Sequence, residues 1–329
     1  MARGVIELKN PPRIIASAAV GGKKEGEGPC GEQFDMLDPT GLFGKETWEQ
    51  AEAEMQGRAL SLAMHKAKKR QEDLDLLIAG DLMNQCTSSS FGALSFGVPY
   101  LGIYGACSTS AEGLLLGSLL YDAGRASLLG VVVSSHFCSA ERQFRYPLDY
   151  GGQRPPTAQW TVTGAGAFLL GHEGSGPSIT AVLPGRIVDG GITDANNMGA
   201  AMAPAAYDTL KRYFDGSGSA PQDYDRIVTG DLGAEGYAIL KDLFAHDGVT
   251  LGESYTDCGI LIYDAARQDV HAGGSGCGCS ATVLSAVLLP RRYKRMLYVA
   301  TGALMSPMSV KQGMSIPGIA HLVCIESEG

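Results

Sequence analysis

The chain has 329 residues, of which 45 are glycine and 15 are proline, and its formal net charge at pH 7 is −9. Glycine has roughly double its usual share, yet 45% of the residues are hydrophobic and only 19% are charged. This composition excludes a disordered chain and predicts a packed protein whose backbone makes close approaches and left-handed turns. The excess of 35 acidic over 26 basic side chains argues against a nucleic-acid partner, because phosphate neutralisation needs clustered lysine and arginine.

Strands and helices are predicted to alternate along the first half of the chain. A helix is expected from Thr47, which forms a capping box with Gln50, and another over 108–122, with Gly124 at its end. The strand at 128–134 is apolar throughout, which is typical of a sheet buried on both faces. Apolar runs predict the strands of this half at 13–20, 74–79, 101–104 and 128–134.

The second half repeats this alternation. Its predicted helices cover 196–214, 234–245 and 280–289, and the last of these is stopped by Pro290. Strands alternating with helices predict an α/β fold with largely parallel sheets. The predicted strands of this half are 179–188, 227–229, 258–263, 296–301 and 319–325.

Two short segments with similar sequences indicate an internal repeat. Cys107-Ser108 and Cys279-Ser280 each follow a glycine-containing turn, and each is followed by a leucine-rich helix and a strand. Matching neighbours on both sides favour a duplication over chance. We therefore predict two similar halves, residues 1–173 and 174–329, with their boundary near 171–176.

Neither a membrane-spanning segment nor a metal motif is visible in the sequence. The longest apolar run, 128–133, is far shorter than the ~18 residues that cross a bilayer. The first residues lack the apolar core of a signal peptide, so a soluble chain is expected. The eight cysteines are scattered, which favours reduced thiols over disulfides. Cys277 and Cys279 lack a second ligand pair at zinc spacing, so no metal site is predicted.

Cys107 is the first candidate for chemistry, because it lies between a predicted strand and the start of a predicted helix. Unpaired N–H groups and the helix dipole at such a position lower the pKa of a thiol and attract an anionic ligand oxygen. Gly105 and Ala106 leave room for a ligand to approach. The alternative is that Cys107 is a small buried apolar residue, and the spacing alone does not decide between the two.

Longer motifs resemble those of a known superfamily. Ala-Cys-Ser at 106–108 and Thr-Gly-Ala-Gly-Ala at 163–167, together with the duplicated α/β halves, are similar to the thiolase and ketoacyl-synthase superfamily. This resemblance covers about residues 13–325. It implies a thiolase-like fold with five layers, α-β-α-β-α, and a homodimer formed through a shared sheet edge. Within the superfamily, the stage V sporulation protein AD family is the one that the chain resembles in the segments 81–85, 105–113 and 155–164.

The resemblance makes Cys107 the position of the acylated nucleophile, which two groups from the second half serve in the superfamily. Those groups are His and Asn in initiating ketoacyl synthases, or His with Cys or His in thiolases. At the matching positions this chain has Gly230 or Asp231 and Ser275, so both bases are expected to be lost. A carboxylate at Asp231 would also raise the pKa of the thiol. We therefore expect a protein without enzyme activity.

The resemblance also implies a ligand. The family is associated with the uptake of dipicolinic acid, a pyridine dicarboxylate handled as its calcium chelate, into the developing spore. Ser108, Thr109 and helix N–H groups are expected to meet one carboxylate, with Cys107 as a wall of the pocket. Guanidinium groups bind carboxylates bidentately and stack on aromatic rings, so an arginine would meet the other carboxylate or a neighbouring protein. The remaining candidates for ligand binding are His136, Arg142, Arg145, Trp160, Asp231 and Ser275, with Arg154, Tyr146 and Tyr150 interleaved among them.

Three alternatives remain open. In the first, the arginines belong to a surface loop, where they pair with Glu141 and Asp149. In the second, the chain is an acyl-CoA condensing or transferring enzyme that uses Cys107 with His136 or His271, although a lone histidine beside a loop is more often a satisfied polar residue. In the third, the chain is a structural subunit of a membrane complex and binds no small molecule.

The partners that the resemblance implies are membrane proteins of the same stage V sporulation A operon. The chain is therefore expected to associate peripherally with the spore inner membrane through those proteins. No cofactor is expected. A calcium ion would arrive as part of the ligand chelate, and Asp81 and Asp231 are candidate oxygen ligands for it.

Overall fold

Strands and helices alternate in the computed structural model, which describes residues 4–145 and 153–327. The strands in these residues are β1 (Ile6–Glu7), β2 (Arg13–Gly22), β3 (Met36–Asp38), β4 (Leu76–Gly80), β5 (Tyr100–Gly102), β6 (Leu129–Ser135), β7 (Trp160–Thr161), β8 (Gly164–Gly171), β9 (Ser178–Leu183), β10 (Arg226–Thr229), β11 (Tyr255–Asp257), β12 (Gly274–Ser275), β13 (Arg295–Ala303) and β14 (Gly318–Glu326). The α-helices are α1 (Lys23–Gly26), α2 (Trp48–Ala67), α3 (Thr87–Ala93), α4 (Thr109–Asp122), α5 (Phe137–Arg145), α6 (Met198–Ser217), α7 (Gly233–His246), α8 (Cys258–Leu261), α9 (Cys277–Val283) and α10 (Pro307–Lys311).

The main strands form two five-stranded arrays with the same order and directions. The first array runs β5-β4-β6-β8-β2 and the second runs β11-β10-β13-β14-β9. In each, three neighbouring strands are parallel, and the next two strands are antiparallel to their neighbours. One residue pair, Arg13 with Ser178, connects β2 to β9. Numbered in chain order within each array, both run third, second, fourth, fifth, first, as a duplicated α/β unit would. The predicted boundary at 171–176 lies in the loop between β8 and β9.

The helices complete a five-layer arrangement. Helix α2 covers the outer face of the first array through β2, β6 and β8, and α6 covers the outer face of the second through β13 and β14. Between the arrays, α4 contacts β6 on one side and β13 and β14 on the other, while α9 contacts β6, β8 and β13. These contacts produce the α-β-α-β-α layers that the resemblance implied. None of the described helices is long and apolar enough to cross a membrane.

Local sequence explains where the main helices begin and how closely they pack. The Thr47 side chain accepts a hydrogen bond from the Gln50 N–H at 3.4 Å, as the capping motif predicted. Glycine permits the contact between α9 and β8, because a β-carbon at Gly166 would lie 2.6 Å from the Ala281 carbonyl group. Part of the high glycine content therefore serves backbone-to-backbone packing in the central layer.

Some predicted elements differ from the observed ones. The apolar run 258–263 was expected to be a strand, but it begins with helix α8, and the strand of this region is β11 just before it. Helix α8 packs against α9 with Cys258 and Gly259 buried, and a short apolar run is compatible with either a helix or a strand. The sequence did not predict helices α3 and α5, and α5 lines the cavity beside Cys107.

Candidate functional site

Cys107 lies in a tight turn between β5 and α4. Ala106 has a left-handed backbone, with φ of 51°, which is uncommon for a residue with a β-carbon and occurs where a chain turns sharply. Only 6% of Cys107 is exposed. Its Sγ lies 4.0 Å from the Ser275 Oγ of β12. The two residues come from different halves of the sequence, so the site forms only when both halves are folded.

Asp231 lies behind Ser275 and is completely buried. Its carboxylate accepts hydrogen bonds from the Ser275 hydroxyl at 3.2 Å, the Gly276 N–H at 2.8 Å and the Thr301 hydroxyl at 2.9 Å. Burial raises the pKa of Asp231 to about 6, and these hydrogen bonds limit the rise. The group is therefore mostly ionised at neutral pH and places a negative charge beside the Cys107 thiol.

This environment disfavours the Cys107 thiolate. Burial raises the pKa of the Cys107 thiol well above its ordinary value, and the Asp231 carboxylate raises it further. Reactive cysteines have the opposite surroundings, with cations or unpaired N–H groups that stabilise the thiolate. Both effects favour the neutral thiol of Cys107, and no histidine or lysine lies among the described residues that line the cavity beside it.

Cys107 and Ser275 line a narrow cavity of about 40 Å³. A water molecule needs about 10–15 Å³ on this scale, so the cavity holds only a few waters and an aromatic ligand would have to displace side chains. The only charged side chains among its described lining residues are Glu141 and Arg145. The other lining residues are Leu82, Tyr104, Ala106, Ala140, Phe144, Thr161, Met198, Ala303 and Met305.

Ser108 and Thr109 are fully buried beneath the Cys107 turn. The Ser108 hydroxyl donates to the Gly105 carbonyl at 2.6 Å, and the Thr109 hydroxyl donates to the Ala106 carbonyl at 2.6 Å. The Thr109 oxygen also accepts the Gly105 N–H at 3.0 Å. Both predicted ligand contacts are thus occupied in holding the turn, and neither residue lines the cavity.

The three candidate arginines are separated in space. Arg142 is on the outer side of α5, pairs with Glu49 and lies over the Trp48 ring. Arg145 lines the Cys107 cavity, where it pairs with Glu141. Arg154 lies over the Trp160 ring and donates to the Gln159 carbonyl. Tyr146, Asp149 and Tyr150 lie outside the described residues.

His136 and Trp160 line a different cleft, of about 360 Å³, together with Lys24 and Phe137. The His136 Nε2 lies 2.8 Å from the Gly41 carbonyl oxygen, and its Nδ1 accepts the Cys138 N–H at 3.2 Å. Phe137 stacks on Trp160 with ring centroids 3.8 Å apart. The structure therefore brings Cys107, Asp231, Ser275 and Arg145 together, and places His136 and Trp160 elsewhere.

His271 also lies outside the Cys107 cavity. Its Nε2 lies 3.2 Å from an Asp269 carboxylate oxygen at a partly exposed position, and it does not line the Cys107 cavity. The histidines considered as bases for Cys107 are thus both engaged in other contacts.

Asp81 was a candidate ligand for calcium. Its buried carboxylate accepts the Met83 N–H at 2.7 Å, the Ser89 N–H at 2.7 Å and the Ser89 hydroxyl at 2.6 Å. Burial raises its pKa. Asp81 does not line the Cys107 cavity, and residues 4–145 and 153–327 contain no group of three metal-ligating side chains.

Sequence reasoning missed most of the cavity wall contributed by α5. Glu141 and Arg145 are four residues apart, which is the spacing of an ion pair on a helix, so the signal for a helix was present. Tyr104 and Leu82 follow the first-half strands β5 and β4, and Met305 follows β13 from the second half. Their convergence depends on long-range packing, which no local pattern reveals.

The two arrays of equal strand order and the central helices α4 and α9 define a thiolase-like fold, which the chain shares with solved condensing enzymes. The 3-oxoacyl-(acyl carrier protein) synthase III of Xanthomonas oryzae pv. oryzae has 15% sequence identity and a TM-score of 0.62, over 97% of this chain and 100% of that chain. A variant of OleA from Xanthomonas campestris has 16% identity and a TM-score of 0.63, over 97% and 98%. Such low identities establish the fold alone.

The sequence comparisons establish the family. The model for stage V sporulation protein AD matches residues 2–326. The stage V sporulation protein AD of Bacillus subtilis (strain 168) is 42% identical over 326 residues, which cover 98% of this chain and 96% of that protein. The chain belongs to the stage V sporulation protein AD family, so the family and fold predicted from its motifs are confirmed.

Proposed function

We propose that this sporulation protein binds dipicolinic acid, free or as its calcium chelate, in the Cys107 cavity without changing it chemically. Binding would serve uptake of the acid into the developing spore, together with membrane proteins of the same operon. The observation that carries the proposal is the pairing of a neutral, buried Cys107 with Ser275 and Asp231, in a cavity where no histidine lies among the described lining residues. Such a site suits retention of a ligand better than acyl transfer.

The polar groups of the cavity suit a small planar carboxylate. Arg145 is the cation among the described lining residues, and Thr161, Ser275 and Tyr104 offer hydroxyl groups. Leu82 and Phe144 offer apolar surface for the faces of a ring. Because the cavity is narrower than such a ligand, binding requires side chains of the α5 wall to move.

A second part of the proposal is that two copies pair along β5, the edge strand of the first array. Large apolar side chains surround this edge: Phe91 is 67% exposed, Leu94 75% and Leu101 45%. Contiguous exposed apolar surface beside an unpaired strand is typical of an interface. We expect Leu94→Asp with Leu101→Asp to give a monomer by light scattering. Met308→Asp, at a residue 69% exposed elsewhere on the surface, should leave the dimer intact.

Titration calorimetry with dipicolinate tests the binding proposal. We expect saturable heat in the absence of calcium and with the calcium complex, and a large loss in Arg145→Gln. Pyridine-3,5-dicarboxylate, which has the same charge but cannot chelate through the ring nitrogen, is the matched control ligand. Absence of any heat at millimolar dipicolinate would contradict the proposal.

A condensing or acyl-transferring activity is the second candidate, because the structural neighbours include 3-oxoacyl synthases. Incubation with radiolabelled acyl-CoA distinguishes the two. Label that remains on the protein after denaturation, and that is lost in Cys107→Ala, would favour the enzyme. We expect no covalent label, since the thiol lacks an activating base.

A further inference from the structure

Glu141 and Arg145 form an ion pair inside the Cys107 cavity. They are one turn apart on α5, and the Arg145 Nη1 lies 3.1 Å from one Glu141 carboxylate oxygen and 3.4 Å from the other. Their side chains are only 13% and 20% exposed, respectively. Within the described parts of the chain neither side chain has another ion pair or hydrogen bond, and the Glu141 carboxylate also lies close enough to the Arg154 guanidinium to favour its charged form.

The carboxylate of Glu141 occupies the position where an anionic ligand would bind. Both of its oxygens lie near the Nη1 of Arg145, so the Glu141 carboxylate takes hydrogen bonds that this guanidinium could otherwise give to a ligand carboxylate. A second guanidinium, that of Arg154, is close enough for Arg145 to lower its pKa, in addition to the larger effect of its burial. The cavity wall thus already contains a carboxylate paired with the Arg145 cation.

We propose that Glu141 is a built-in competitor of the ligand and determines how strongly a free carboxylate binds at Arg145. This inference rests on the proposed function and concerns the same cavity. A ligand carboxylate that takes the Arg145 guanidinium must displace Glu141. The displaced Glu141 then loses its cation at a position where its side chain is only 13% exposed, which is unfavourable for an unpaired charge.

Three consequences follow from this exchange. The observed free energy of binding is the free energy of the interaction of Arg145 with the ligand minus that of its interaction with Glu141. A substitution that removes the charge of Glu141 but keeps the size of its side chain strengthens the binding of the calcium-free dipicolinate dianion. The gain depends on Arg145, because the competition takes place at that guanidinium.

The experiment compares four proteins by calorimetry with dipicolinate in calcium-free buffer: the unaltered chain, Glu141→Gln, Arg145→Gln and the double variant. We expect Glu141→Gln to bind about fivefold more tightly, the order expected for releasing one partly buried ion pair. Arg145→Gln should bind more than tenfold more weakly. In the double variant the gain from Glu141→Gln should disappear, which is the non-additivity of residues that act on one group.

Glu54→Gln is the matched control. Glu54 and Arg58 form the same one-turn pair on α2, with a distance of 2.8 Å, and they line a separate groove. This variant changes the net charge of the protein by the same amount, so unchanged affinity shows that the gain at Glu141 is local. Thermal unfolding of each variant establishes that it is folded.

The outcomes separate this inference from the proposed function. If the unaltered chain binds no dipicolinate, the proposed function is wrong and the inference with it. If the unaltered chain binds but the folded Glu141→Gln variant binds equally or more weakly, only the inference is overturned. A gain that persists in the Arg145→Gln background would also overturn it, since the effect would then be a general one of charge.

Discussion

The turns that lead into the two central helices are locally alike but have different surroundings. Each contains a residue with a left-handed backbone, Ala106 before α4 with φ of 51° and Gly276 before α9 with φ of 101°. Cys107 in the first turn borders a cavity, whereas Cys277 in the second has no exposed surface and donates its S–H to the Ser134 carbonyl at 2.9 Å. Position at a helix start therefore does not make a cysteine accessible.

The difference arises from what faces each turn. Opposite Cys107 are the short Ser275 side chain and the α5 wall, which leave a cavity between them. Opposite the second turn is strand β6, and the Ser135 hydroxyl accepts the Gly278 N–H at 3.2 Å. A buried carboxylate lies near each thiol, Asp231 near Cys107 and Glu52 near Cys277. The two turns can therefore be compared by matched substitutions.

Adding a methyl group to the second turn should have the largest effect. A β-carbon at Gly278 would lie 2.6 Å from the Ser135 Oγ and would also press on the Gly164 carbonyl, so we expect Gly278→Ala to destabilise the protein by about 3 kcal/mol or more. Ala106→Gly relieves a left-handed alanine and should change stability by less than about 1 kcal/mol. Urea unfolding midpoints check both. Equal losses of stability in the two variants would contradict the claim that the second turn is the more tightly packed.

The buried carboxylate near the second turn should make stability depend on pH. Burial, with the Asp81 carboxylate as a smaller cause, raises the pKa of Glu52 to about 8 from a reference value of 4.5. A folded-state pKa above the unfolded value means that the stabilisation is complete below about pH 4.5 and is lost as the pH rises through about 8.

Glu52→Gln should therefore flatten this dependence, by about 2 kcal/mol between pH 6 and pH 8. Burial also raises the pKa of Asp231 to about 6 and that of Asp257 to about 7. These two groups should leave a smaller dependence of stability on pH, with the same sign, in the variant. Thermal unfolding across that pH range is the measurement, with Glu54→Gln as the partly exposed control. An unchanged slope in Glu52→Gln would mean that Glu52 does not retain its proton in the folded protein.

Truncating the two thiols should give unequal losses of stability. Cys277→Ala removes a buried group and leaves the Ser134 carbonyl without its donor, which should cost about 1–2 kcal/mol. Cys107→Ala enlarges an existing cavity and removes a 4.0 Å contact with Ser275 and the interaction of the thiol with Asp231. Asp231 keeps its hydrogen bonds from Ser275, Gly276 and Thr301, so the cost should be smaller than for Cys277→Ala. Urea titrations of the two variants at one pH provide the comparison, and a larger loss for Cys107→Ala would contradict it.

The smallest effect should be on the alkylation rate of Cys107. At pH 7 iodoacetamide should modify Cys107 more slowly than the partly exposed Cys86 and Cys138, because only a thiolate reacts. Asp231→Asn removes the carboxylate that raises the thiol pKa, so the rate should rise severalfold. Asp257→Asn is the control, and mass spectrometry of the modified peptides gives the rates. A rate unaffected by Asp231→Asn would show that burial alone suppresses the thiolate.

The sequence predicted features that depend on neighbours along the chain or on motifs spanning most of its length. The cap at Thr47 and the start of α4 near Cys107 were anticipated in this way, whereas the order of the strands in the sheet was not. The convergence of Cys107, Asp231 and Ser275 was anticipated through the family resemblance, which relates positions far apart in sequence. The matching strand orders explain why residues from both halves meet at one cavity.

The directions of the arginine side chains in and after α5 could not be predicted, and the reason is physical. Arg142, Arg145 and Arg154 are close in sequence, and an expectation that they share a pocket treats their segment as one surface. Residues three apart on a helix differ by about 60° around its axis, so Arg142 pairs with Glu49 near the surface while Arg145 lines the cavity. The placement of His136 beside Gly41 similarly depends on a loop contact across the fold.

The shared central layer makes each half of the chain incomplete without the other. Helix α4 contacts strands of both arrays, and the Ser110 hydroxyl lies 2.8 Å from the Ser280 hydroxyl of α9 and 2.6 Å from the Tyr298 hydroxyl of β13. A fragment ending between β8 and β9 would leave α4 with one apolar face and these hydroxyls in water. The protein should therefore unfold in a single cooperative transition, and a ligand bound between the halves would raise the stability of both at once.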